Sequence, residues 1–245
     1  MDVSNIIIII ILILVLIWLL NRWFFKSNIV YDKMLEAHNV VKNGSESTIF
    51  TSNNNIITNS EFPENNTSNF MLSVWFYIDN WGTSIGNEKN ILFMSNHPNS
   101  ETLTDLQNMS HGISHKVSGS SPSNVPYKNL NICLDEYTND LCLDIETYPD
   151  KVSDLSSNYT RYKVKNIPIQ KWNCLILSID TKTFDVYLDG KLRNSFILHG
   201  SYKNDGKKNI YLGNMGSPNI GFEGFITRVR YEPSSINPQE AYNIY

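Results

Sequence analysis

The sequence predicts an all-β sandwich of two antiparallel sheets, preceded by one N-terminal transmembrane helix. Three observations carry this. From Thr48 onward, short apolar runs with period-two alternation are separated by clusters of Asn, Gly, Ser and Pro, as strands and turns of a sandwich require. Ile6 to Leu20 is unbroken hydrocarbon. The 245 residues include five tryptophans, with 12% aromatic and 18% charged residues, which supplies one sizeable core. No long helical period and no repeat of fixed length stands out. The composition shifts divide the chain into an anchor at 1–25, a stem at 26–46 and the sandwich at 47–245.

The first element, Asn5 to Phe25 (NIIIIIILILVLIWLLNRWFF), reads as an uncleaved membrane anchor carried by Ile6, Ile10, Leu14, Trp18, Leu20 and Trp23, so the lipid bilayer is an expected partner. As a helix the unbroken run spans roughly 22 Å, short of a hydrocarbon core of about 30 Å. Trp23, Phe24 and Phe25 extend it, while Arg22 snorkels towards headgroups. A cleaved signal peptide is the competing reading, but a basic n-region and a small-residue cleavage site are both missing. Arg22 and Lys26 follow the segment and only Asp2 precedes it, which places the sandwich on the cytosolic side. The five N-x-[ST] sequons, at Asn43, Asn65, Asn66, Asn108 and Asn158, do not overturn that placement. A chain so rich in Asn, Ser and Thr generates them by composition.

After a polar stem, in which YDKMLEAHNVVKNG could form a short helix ending at Gly44, nine strands are expected. They are Phe70–Ile78, Asn90–Ser95, Asn129–Tyr137, Leu141–Tyr148, Asn173–Asp180, Phe184–Asp189, Lys191–Leu198, Asn209–Gly213 and Gly224–Glu232. Asp189-Gly190 is a two-residue hairpin turn, since Gly adopts the positive φ a type I′ turn demands. Phe184, Val186 and Leu188 face one way, and Asp185, Tyr187 and Asp189 the other. Asn96 to Pro126, rich in Ser, Asn, His and Pro, reads as a long surface insertion. Trp75 and Trp172 are expected as core anchors rather than sugar platforms.

Three blocks together resemble the concanavalin A-like lectin/glucanase superfamily in its laminin-G-like form. They are FMLSVWFYIDNW, NIPIQKWNCLILSIDTKTFDVYLDGKLRNSF and NIYLGNMGSPNIGFEGFITRVRYEPSSINPQEAYNIY. The last ends in a Pro-initiated terminal helix. The resemblance covers about Ser47 to Tyr245 and implies a jelly-roll sandwich. The anchor, stem and sandwich in series also resemble membrane-anchored proteins of large nucleocytoplasmic DNA viruses, which implies a virion or membrane component.

Glucanases of that superfamily carry a strand similar to E-I-D-I-E, whose first Glu is the nucleophile and last Glu the acid/base. Alternate residues on one strand face set the pair at the short separation a retaining mechanism needs. The matching stretch here is Cys142-Leu143-Asp144-Ile145-Glu146, so Asp144 and Glu146 match while a cysteine holds the nucleophile position. One of the two carboxyl groups is therefore missing, and no catalytic residue is assigned. Pairing this strand with its predecessor through Asn139-Asp140 places Leu134 opposite Ile145, turns Leu143 and Ile145 to the core, and sets Cys142, Asp144 and Glu146 on the other surface.

Remaining chemistry is thin. His111 and His115 fall in a Gly/Ser loop, and no metal site is assigned to them. Calcium is the one cofactor the loops could hold, at YTND or YKNDGKK, though neither is dense in carboxylates. Cys133, Cys142 and Cys174 have no regular spacing, so they form neither a disulfide framework nor a Cys-x-x-Cys site; buried free thiols in a reducing environment fit them. A net charge of −4 with no Lys/Arg run excludes an electrostatic footprint for nucleic acid. The expected function is a non-catalytic, single-pass membrane protein displaying a lectin-like sandwich, with Asp144, Glu146 and Trp81 as its glycan- or protein-binding residues. A glycoside hydrolase with a degenerate or relocated active site is the alternative, and a purely architectural coat protein is a third.

Overall fold

The computed structural model describes residues 10–18, 29–31, 35–36, 56–61, 63, 65–83, 85–95, 128–149, 158–204, 208–213 and 221–245. A helix, α1, covers residues 10–18. The strands follow as β1 (Ile29–Tyr31), β2 (Leu35–Glu36), β3 (Ile56–Ile57), β4 (Phe70–Asn80), β5 (Lys89–Ser95), β6 (Lys128–Leu134) and β7 (Leu141–Thr147). Then come β8 (Asn158–Val164), β9 (Trp172–Asp180), β10 (Thr183–Leu188), β11 (Lys191–Ile197), β12 (Asn209–Leu212), β13 (Glu223–Glu232) and the helix α2 (Pro238–Ile244). All pairings are antiparallel. The larger sheet runs β1-β13-β4-β9-β10-β11, with β2 also on β13, and the smaller runs β3-β12-β5-β6-β7-β8.

The core lies between the sheets, where alternate residues meet face to face. Phe70, Leu72, Val74, Phe76 and Ile78 of β4 face Leu130, Ile132, Leu143, Ile145 and their neighbours in one buried cluster. The outer face of the larger sheet carries a second cluster, Met71, Cys174, Ile176 and Tyr187, roofed by Ala241 of α2. A capping box starts α2: the Asn237 side chain accepts from the Gln239 and Glu240 amides, Glu240 reaches back to the Asn237 amide, and Pro238 opens the first turn. Trp75 stacks on Tyr245 at 5.8 Å and packs against this outer cluster, so it anchors the helix layer rather than the inter-sheet core.

The nine expected strands are all present, and the Asp189-Gly190 turn has positive φ at both residues, 52° and 71°. Four strands were not expected. β8 is NYTRYKV, and β3 is too short to show a period. In the stem, where a short helix was expected, Tyr31 ends β1 and Leu35–Glu36 form β2, because the free edge of β13 offers both of them backbone partners. The β6–β7 register also differs: Leu134 faces Leu141, and Ile145 faces Leu130. The slip is an even number of residues, so side chains keep the faces expected of them.

Helix α1 contains Ile10, Leu14 and Trp18, while Ile6, Leu20 and Trp23 lie outside the described residues, as do His111, His115 and the Asn96–Pro126 insertion. Among the described residues, no helix is long and apolar enough to cross a membrane.

Candidate functional site

The stretch Cys142-Leu143-Asp144-Ile145-Glu146 lies on β7 inside the smaller sheet, with Leu143 and Ile145 in the core and the other three on the outer face. Period-two geometry puts each of those three in a cross-strand row. Phe93, Asn131, Asp144 and Arg161 form one row from β5 to β8, and Cys133, Cys142 and Lys163 form another.

This outer face is closed rather than half-exposed: Asp144 is 3% accessible and Glu146 0%. A buried carboxylate must be paired to persist, and each has its own partners. Arg161 grips Asp144 with a two-point fork, Nε to Oδ1 at 2.5 Å and Nη2 to Oδ2 at 2.8 Å, and its Nη1 donates to Glu88. Asn131 adds a third donor to Asp144 at 3.0 Å. The Asp144 hydrogen bonds hold the Arg161 guanidinium firmly protonated, outweighing the opposite pull of burial. Glu146 accepts from Lys203 Nζ at 2.8 Å and from Asn129 Nδ2 at 2.6 Å, while Asn129 Oδ1 has no partner among the described residues. Burial pushes the Lys128 ammonium down to about 8, and it lies 4.8 Å over the Phe93 ring.

Glu88, Cys133 and Asp144 each bring a ligand atom within 4.8 Å of the others. Arg161 already binds both carboxylates, so a metal there would have to displace a guanidinium that fits them better. Cys133 donates its thiol towards Glu88 at 3.7 Å, and contact with Cys142 followed by burial pushes that thiol well above the ordinary range.

Trp81 lies elsewhere, in the loop after β4. It is partly buried against the core, with Lys89 Nζ 4.5 Å over its ring. Beside it the structure forms a rim that the sequence reading missed. Gly86, with φ of 85°, donates its amide to Glu136 at 3.1 Å and joins the loop 81–87 to the β6–β7 turn. On that rim Tyr137 is 70% exposed and Ile85 61%. Asp135 holds the turn, accepting from the Tyr137 and Thr138 amides and from Lys163 Nζ at 2.5 Å. Burial alone would raise the Asp135 carboxyl, but those donors keep it below the usual carboxylate range. A Tyr flanked by acidic residues in a turn is a signal available from sequence, but DEY reads there as the end of a strand.

The oxygen-rich YTND loop spends its polar groups internally: Asp140 accepts the Asn166 amide and Asn139 donates to the Ile167 carbonyl. Residues 205–207 of YKNDGKK lie outside the described residues. A cavity of about 30 Å³ between Asn65, Tyr202, Asn204, Lys208 and Tyr231 has room for about one water, not a sugar.

A family model described as the concanavalin A-like lectin/glucanases superfamily matches residues 137–241, less than half the chain. That stretch contains the second block and most of the third, and the two-sheet antiparallel sandwich is concanavalin A-like. No curated protein matches by sequence. Among solved structures, the chain is similar to the binding domain of Paraclostridial Mosquitocidal Protein 1, at 12% identity and TM-score 0.49, covering 86% of this chain and 42% of that one. It is also similar to domain 4 of AbnA, a GH43 extracellular arabinanase from Geobacillus stearothermophilus, in complex with arabinotriose, at 14% identity and TM-score 0.43, covering 73% of this chain and 66% of that one. A third is the binding domain of botulinum neurotoxin DC in complex with rat synaptotagmin II, at 15% identity and TM-score 0.46, covering 77% and 38%. The chain thus spans less than two thirds of each of these.

Proposed function

We propose that this chain is a non-catalytic binding module that recognises a glycan or protein surface through the rim formed by Trp81, Ile85, Gly86 and Tyr137. One observation carries the reading. Of the residues matching the glucanase strand, Glu146 at the acid/base position is engaged by Lys203 and Asn129, and the intervening Asp144 by the Arg161 fork, in a closed face. Cys142 at the nucleophile position supplies no second carboxyl group. Asp144 and Glu146 therefore act under the ligand surface, fixing the sheet that carries the rim. The rim has what recognition needs: an exposed aromatic ring, an exposed aliphatic side chain, and acidic residues held by fixed turns on a rigid sandwich.

Membrane display belongs to the same proposal. Ile10 to Trp18 in α1 are 47–62% exposed, and a helix apolar all round calls for an apolar solvent. The resemblance to anchored viral membrane proteins makes a virion or infected-cell membrane the setting to examine.

The test is a glycan array probed with the full chain in detergent, beside Tyr137→Ala. Binding that the variant loses supports the proposal. Binding that the variant keeps moves the ligand away from the rim, and silence from the array together with no captured protein at the rim removes the binding function.

A further inference from the structure

We propose that Cys133 and Cys142 are a modification site, closing a cross-strand disulfide when the protein meets an oxidising thiol–disulfide couple. The two are direct partners across β6 and β7. The Asp135 amide donates to the Asp140 carbonyl at 2.9 Å in the same register, which makes 135/140 a hydrogen-bonded pair. Alternation then makes 133/142 a hydrogen-bonded pair too. Such pairs set their Cα atoms about 5.5 Å apart, inside the roughly 4.4–6.8 Å window a disulfide requires. Both side chains lie buried on the outer face. Cys174 is on the other sheet and serves as the internal control.

The surroundings set the order of steps. Cys142 lies beside Lys163, which pairs with Asp135, and its thiol points to Asp135 Oδ2 at 3.7 Å. The Cys133 thiol, which the neighbouring Cys142 and burial hold protonated, points to Glu88. In a local opening of the closed face, Cys142 gives its proton to solvent and its sulfur attacks a small disulfide RSSR, forming the mixed disulfide and releasing RS⁻, which takes up a proton from solvent. Cys133 then loses its proton towards Glu88 and attacks the Cys142 sulfur of the mixed disulfide, releasing the second RS⁻. Two thiols are oxidised, RSSR is reduced to two RSH, and no other co-reactant is needed.

The experiment equilibrates the full chain in glutathione buffers of graded GSSG/GSH ratio, native and in denaturant, approaching from reduced and oxidised starting states. Acid quench, alkylation and peptide mass spectrometry then count the linked pair. A bond that fits the fold forms with an equilibrium constant at least about tenfold higher in the native chain than in the unfolded one, because folding and cross-link stabilise each other. Cys174 stays reduced in the native chain. An equal or lower constant in the native chain overturns the proposal, as does recovery of Cys142 only as a glutathione mixed disulfide. The outcome is independent of whether the rim binds anything.

Discussion

Arg161 is where the closed face is most exposed to a single change. It holds Asp144 by a fork and Glu88 by its third nitrogen, with the Asp144 side chain 4% accessible and its own 15%. Removing it strands two carboxylates beside a sheet that cannot hydrate them, and breaking such a pair costs about 3–5 kcal/mol. Arg161→Met is expected to lose about that much in chemical denaturation. Arg161→Lys recovers little, since an ammonium cannot reproduce the fork. Lys128 presents the opposite case. Asp144, Glu88 and Cys133 favour its charge and Arg161 opposes it, yet burial dominates and lowers it from 10.5 to about 8. Between those values the unfolded chain holds a proton that the folded chain does not, so stability rises with pH across that window. Below about pH 8 the charged lysine costs the fold about 3 kcal/mol. Lys128→Met is therefore expected to be more stable than the parent at pH 7, with the difference shrinking steadily towards pH 10 in urea titrations.

Elements follow from patterns of different strength, which explains what could be read. β4, β9 and β10 are long, apolar and bounded by turns, and Asp189-Gly190 fixes one register outright. β8 has a clean alternation too, Thr160, Tyr162 and Val164 against Tyr159, Arg161 and Lys163, but a run with two cations reads as surface. That oversight hid Arg161, and with it the closure of the face: LCLDIE looks half-exposed until its partner strand is known. β1 and β2 were illegible for another reason, since their pairing with β13 is long-range and leaves no period in two or three residues. At β13, Gly224 is forced by close approach: a Cβ there would stand 1.9 Å from the Tyr77 carbonyl oxygen. Gly224→Ala should destabilise by about 3 kcal/mol or more, as overpacking against backbone cannot relax cheaply. At α2, Asn237→Ala removes the acceptor of two amides and should cost about 1 kcal/mol. It should also loosen Tyr245 from Trp75, visible as a shift in tryptophan fluorescence.

At the scale of the whole molecule, the sandwich presents three differently finished surfaces. The larger sheet is roofed by α2, the smaller is sealed by ion pairs, and the rim at Tyr137 and Ile85 is open. We propose that recognition falls to the rim, and membrane attachment to the apolar segment that includes α1. Full-length protein is expected to float with liposomes, and Leu14→Asp to weaken that association several-fold. Because β1 and β2 pair with β13, a fragment beginning at residue 47 should be less stable than one beginning before Ile29. The most direct measurement titrates the strongest array ligand into the full chain, follows product formation in the same sample, and repeats both with Tyr137→Ala and Glu146→Gln. The expected result is saturable binding without product, weakened at least tenfold by Tyr137→Ala at unchanged stability. Hydrolysis of the ligand by the parent, abolished in Glu146→Gln, would contradict a non-catalytic binding module.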